Sequence, residues 1–141
     1  MSVPKHLWRF PTADAMASLA KRLDVPNLPS MQDWEWEIAD STRIDEYLSL
    51  YRDVGLSDDE RFTLMETILQ AFEELPAELA SDPRWSDVLS ILDRNIDLHA
   101  YSVWYWADID NELEEDCWRV TPYLRKLVAK HTSRLNPHGD K

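Results

Sequence analysis

The side chains best suited to chemistry in this sequence are tryptophans and tyrosines set among carboxylates. Trp34 and Trp36 alternate with Asp33, Glu35 and Glu37, and Tyr101, Trp104 and Tyr105 stand just before an acidic run from Asp108 to Asp116. Tyr101, Trp104 and Tyr105 follow i, i+3, i+4 spacing and so share one face of a helix. Aromatic rings offer a negative π-face to cations, and Trp and Tyr are enriched at binding hot spots. Carboxylates beside them add attraction for Arg and Lys. The pattern points to a docking surface for a basic protein, made by Trp34, Glu35, Trp36, Glu37, Tyr101, Trp104, Tyr105, Asp108, Asp110, Glu112 and Glu115. Trp34 and Tyr105 are expected as its exposed anchors.

The charge balance agrees. The chain has 141 residues with 27 acidic and 15 basic side chains, a net charge of −12. Residues 31–60 hold ten acids and two bases; residues 119–141 reverse the sign, with six bases against Asp140. A net charge this negative repels nucleic acid and anionic lipid and steers cationic partners in. Direct nucleic-acid and membrane partners are therefore not expected.

Phosphate-loop and dinucleotide chemistry is excluded, and other catalytic classes, Ser-His-Asp chemistry among them, stay open by composition but have no recognisable motif. With 2 glycines in the chain, no phosphate-cradling glycine loop can be built. No CxxC pair, no HExxH motif and no serine in a recognisable nucleophile elbow occurs. An EF-hand loop starting at Asp108 would need Gly at its sixth place and Glu at its twelfth, where Leu113 and Arg119 stand. His99 and His131 fall on apolar helix faces and read as core histidines. Were they to meet beside Asp93 or Asp97, a carboxylate–histidine metal enzyme would be the alternative. No catalytic residue, metal ligand or cofactor is assigned. Cys117 is the only cysteine, so no internal disulfide forms, and a lone thiol fits a reducing compartment. The N-terminal stretch lacks an apolar run of signal-peptide length, and no segment approaches the length of a membrane helix. A cytoplasmic protein is expected.

The elements that must position these residues read as helices. Thr12 caps a helix over 13–23, with Met16, Leu19, Ala20 and Leu23 on one face. Pro26 and Pro29 then enforce an extended connection. Residues 33–38 suit either a short strand or a helical turn. Ile44, Tyr47, Leu48 and Tyr51 mark the next helix, with Gly55 as its stop. Ser57 and Glu60 form a capping box, and Phe62, Met65, Leu69 and Phe72 line the helix that follows. Asp82-Pro83 opens the longest pattern, 83–106, with Trp85, Leu89, Leu92, Ile96, His99, Val103 and Trp106 as its stripe. Thr121-Pro122 repeats the cap-then-proline signal. Leu124, Leu127, Val128, His131 and Leu135 face inward there, while Arg125, Lys126, Lys130 and Arg134 stay outside. The tail 136–141 is expected to be loose.

The expected fold is mainly α: one acidic domain over 1–141, five or six helices around a long central helix at 83–106. This profile, small, acidic, helical and aromatic-rich without a catalytic signature, resembles that of immunity proteins that neutralise bacterial nuclease toxins, and equally of anti-activators and DNA mimics. The resemblance implies an inhibitor whose acidic surface is steered to a basic partner and whose aromatic anchors slow dissociation. The remaining alternative is a homo-oligomeric structural protein pairing through the Trp85–Trp106 stripe.

Overall fold

The computed structural model describes residues 3–111 and 117–135. Every regular element among them is helical, with no strand. The chain forms two compact units, one of residues 10–76 and one of residues 1–9 with 77–141.

In the 10–76 unit, α1 (Ala13–Leu23) starts where Thr12 Oγ1 accepts the Ala15 N–H at 3.1 Å. It ends at Asp24, which takes the left-handed conformation (φ 56°) that glycine more often supplies. Next, α2 (Trp34–Glu37) is a single helical turn, which decides between the two readings of 33–38. A 3-10 turn, Ser41–Arg43, leads into α3 (Ile44–Tyr51), which stops four residues before Gly55. The capping box is present at the start of α4 (Asp58–Glu74): Ser57 Oγ accepts the Glu60 N–H at 3.1 Å, and Glu60 Oε1 accepts the Ser57 N–H at 2.7 Å. Pro76 then forces Leu75 into extended backbone and α4 ends. Helices α1, α2 and α3 all pack against α4. For that reason α4 is buried around most of its girth, from Phe62 through Phe72.

In the other unit, the long helix expected over 83–106 is two helices, α5 (Pro83–Arg94) and α6 (Ile96–Ala107). The break falls at Asn95 (φ −117°, ψ 40°). Its side-chain amide donates to the Ile91 carbonyl at 3.0 Å, beside its own backbone N–H at 2.9 Å. A short amide side chain competing for helix carbonyls ends the helix there. The apolar stripe survives the break: Trp85, Leu92, Ile96, His99, Val103 and Trp106 are all buried, and Leu89 is half-buried.

The start of α7 (Thr121–Lys130) also departs from expectation. Thr121 is the first helical residue, Val120 holds the cap position, and the Thr121 hydroxyl donates to the Trp106 carbonyl at 2.8 Å. That bond fixes α7 on α6, its main packing partner. His131 closes α7 and α8 (Thr132–Leu135) follows. Two of the eight α-helices, α2 and α8, are only four residues long, leaving six longer ones among the described residues. No helix among these residues is long and apolar enough to cross a membrane. The tail 136–141 lies outside the described residues.

Candidate partner-binding site

The first aromatic–acid patch is built into the structure of its unit. Because α2 is a turn, successive tryptophans two residues apart point to different sides. Trp34 is 1% exposed, and its Nε1–H donates to the Pro26 carbonyl at 2.7 Å, pinning the proline connection. It is no exposed anchor. Trp36 is half-buried and donates to Glu66 Oε1 on α4 at 2.9 Å. Glu35 is buried, and its backbone carbonyl accepts the Thr67 hydroxyl at 2.6 Å. Burial holds its carboxyl above the usual carboxylate range, helped by the charges of Glu66, Asp33 and Glu37. Glu37 is exposed, and its Oε2 accepts the Asp33 N–H at 2.9 Å. Trp34, Trp36 and Glu37 all serve the seating of α2, which leaves little of this patch for a partner.

The second patch is different. Tyr101, Trp104 and Tyr105 on α6 are all half-exposed. The rings of Tyr101 and Tyr105 stack 6.0 Å apart at 11°, and Tyr105 stacks on Trp118 at 5.4 Å and 29°. Trp118, also half-exposed, leans on the buried Trp106 at 4.7 Å. A ladder of three partly open rings, Tyr101, Tyr105 and Trp118, is thus anchored in the core at one end. Offset stacks of this kind are worth about 0.5–1.5 kcal/mol per pair beyond area burial.

The acidic run starts where α6 stops. Asp108 takes the left-handed conformation (φ 50°), and Asn111 Nδ2 donates to its carboxylate at 3.1 Å. Asp110 is exposed. Glu112 and Glu115 lie outside the described residues.

Sequence reasoning placed Arg125 outside; it turns inward instead. Its guanidinium donates to the carbonyls of Ala107 (2.7 Å), Asp108 (2.6 Å) and Asn111 (2.6 Å), and approaches Cys117 Sγ at 3.4 Å. The last carbonyls of a helix are orphans at the negative end of its dipole, and a cation placed there satisfies them. Arg125 therefore fixes both flanks of the acidic run. Cys117, which follows the acidic run in sequence, has this guanidinium beside it. The sign reversal after residue 118 was the one signal in the sequence that a base would serve the acidic segment.

The histidines take separate roles. His99 is fully buried; burial, with a smaller contribution from the Arg9 charge, pushes its pKa down to about 3, so the ring is neutral. His131 lies at the end of α7 rather than on its inner face, and its Nε2–H donates to Asp93 Oδ1 at 2.7 Å. Lys130 takes the other Asp93 oxygen at 2.8 Å, and both partners hold the Asp93 carboxyl below its usual range. Among the described residues no group of three or more His, Cys, Asp or Glu side chains is placed to hold a metal ion.

The two units differ in charge. Residues 10–76 carry 15 acids and 5 bases, a net −10, whereas residues 1–9 with 77–141 carry 12 acids and 10 bases, a net −2. No protein family, no curated protein and no solved structure matches the chain.

Proposed function

We propose that this protein is a binding module for a basic protein, which it neutralises or regulates in the manner of a bacterial toxin-immunity or inhibitor protein. The observation that carries this reading is the half-exposed ladder of Tyr101, Tyr105 and Trp118, whose residues flank the Asp108–Asp116 run in sequence. Guanidinium and ammonium groups gain about 0.5–1 kcal/mol over such rings at exposed sites, and more once desolvated. The net charge of −12 adds fast electrostatic steering. Asp108 and Asp110 then meet Arg or Lys side chains beside the rings, while Trp34, Trp36, Glu37 and the backbone of Glu35 support the fold. A lone thiol fits a partner met in a reducing cytoplasm.

The test titrates the full chain with an alternating Arg/Lys octapeptide and follows tryptophan fluorescence. Tyr105→Ala is expected to weaken binding by about 2 kcal/mol, the hot-spot threshold, and Tyr101→Ala to weaken it less. Circular dichroism checks that both variants stay folded. Equal binding by native protein and both variants would reduce the ladder to core packing and sink the proposal.

A further inference from the structure

The unit of residues 1–9 and 77–141 contains a cleft of about 460 Å³, lined by Glu78, Leu79, Arg119, Pro122, Tyr123 and Lys126. That volume lies in the range of small-molecule sites, roughly 300–1,000 Å³. Its charges are unusual for this chain. Lys130 and Arg134 on the same C-terminal segment each reach a carboxylate, Asp93 and Asp97. Lys126 reaches none: among the described residues its ammonium has no ion pair or hydrogen bond, and neither has the Glu78 carboxylate. Opposite charges thus line one cleft without closing on each other.

The other lining groups are held in place. Arg119 donates through Nη2 to the Ala77 carbonyl, next to Glu78. Tyr123 stands edge-on to the buried Trp85, with centroids 5.6 Å apart at 85°. Leu79 is 4% exposed, so the apolar wall belongs to the core. The cleft therefore offers cationic groups at Lys126 and Arg119, an anionic group at Glu78, and an apolar lining of Leu79, Pro122 and Tyr123.

We propose that this cleft binds a small zwitterion with an apolar body, of the class of a free apolar α-amino acid. Its carboxylate meets Lys126, its ammonium meets Glu78, and its side chain covers Pro122 and Tyr123. This site is independent of the aromatic ladder and of the basic partner proposed above.

The experiment titrates the full chain with leucine, isoleucine, valine, methionine and phenylalanine by calorimetry, up to about 10 mM, enough to detect a Kd near 1 mM. At least one is expected to bind saturably. Its N-acetyl and carboxamide derivatives, each lacking one charge, should bind about tenfold or more weakly, a loss of about 1.4 kcal/mol. Lys126→Ala should weaken the free amino acid by a similar factor. Glu78→Gln should weaken it too, and should erase the preference over the N-acetyl form. Tyr105→Ala should leave all of this unchanged. Both charged side chains are exposed and have no partner among the described residues, so their variants keep the fold, which circular dichroism checks. No saturable binding by any of the five, or binding indifferent to Lys126→Ala and Glu78→Gln, overturns the proposal.

Discussion

His99 and Glu35 are buried titratable groups whose environments work against their charged forms, and they shift stability in opposite directions with pH. The folded pKa of His99 lies near 3, below the ordinary 6.5, so between these values the unfolded chain binds the extra proton. Stability should then fall as pH drops below about 6.5, by about 1.4 kcal/mol per pH unit from this group alone. In urea unfolding at pH 7 and pH 5, His99→Leu should lose that part of the slope; an unchanged slope would show that His99 is hydrated. Glu35 has a raised folded pKa, so its favourable contribution is present below the unfolded value of 4.5 and is lost as pH rises through the folded one. Above the folded pKa its carboxylate forms in a site that disfavours charge. Glu35→Gln should accordingly raise the Tm at pH 7, with the gain fading toward pH 4. A lower Tm at pH 7 would mean that the carboxylate makes a bond the amide cannot replace.

Two helix ends in this protein, those of α3 and α6, are closed by arginine where other chains use glycine. Arg61 donates to the carbonyls of Tyr51 (3.1 Å), Asp53 (2.6 Å) and Leu56 (2.6 Å) beyond α3, as Arg125 does to those of Ala107, Asp108 and Asn111 beyond α6. With only 2 glycines in the chain, glycine-based C-caps are scarce, and aspartate fills the left-handed positions at Asp24 and Asp108. The clamps should therefore matter as elements. Arg125→Ala should cost on the order of 2–3 kcal/mol in urea unfolding, since bonds to a charged donor are worth about 1.5–3 kcal/mol and three carbonyls lose it. Arg125→Lys should recover only part, because an ammonium lacks the planar fork. A cost below 0.5 kcal/mol, roughly that of a neutral surface change, would show that the carbonyls are satisfied by water.

For the molecule as a whole, a net charge of −12 with −10 of it on residues 10–76 makes self-repulsion the main long-range force. Ion pairs such as Arg22–Asp53 and Arg134–Asp97 are exposed and long, at 3.5 Å each, and contribute little against it. Raising salt from about 10 mM to about 150 mM shortens the screening length from roughly 30 to 8 Å. The Tm should rise over this range, while the on-rate for the Arg/Lys octapeptide should fall. A Tm that drops with salt would show ion pairs outweighing the repulsion.

Much of the fold was legible because its signals are local. Thr12, the Ser57–Glu60 box and Asp82-Pro83 fix helix starts through bonds that span two or three residues, and apolar spacing marks which face is buried. The shared, half-exposed face of Tyr101, Trp104 and Tyr105 was readable for the same reason: it follows from helical period alone. Tertiary structure decided the rest. Asn95 divides a helix whose apolar period runs on unbroken, a choice between two uses of one carbonyl that periodicity does not encode. Trp34 is buried because Pro26 offers its carbonyl from eight residues away, Thr121 turns to Trp106 across fifteen, and Arg125 reaches back across eighteen to Ala107. Local composition set which residues carry charge and aromatic surface; contacts distant in sequence set which of them stay exposed.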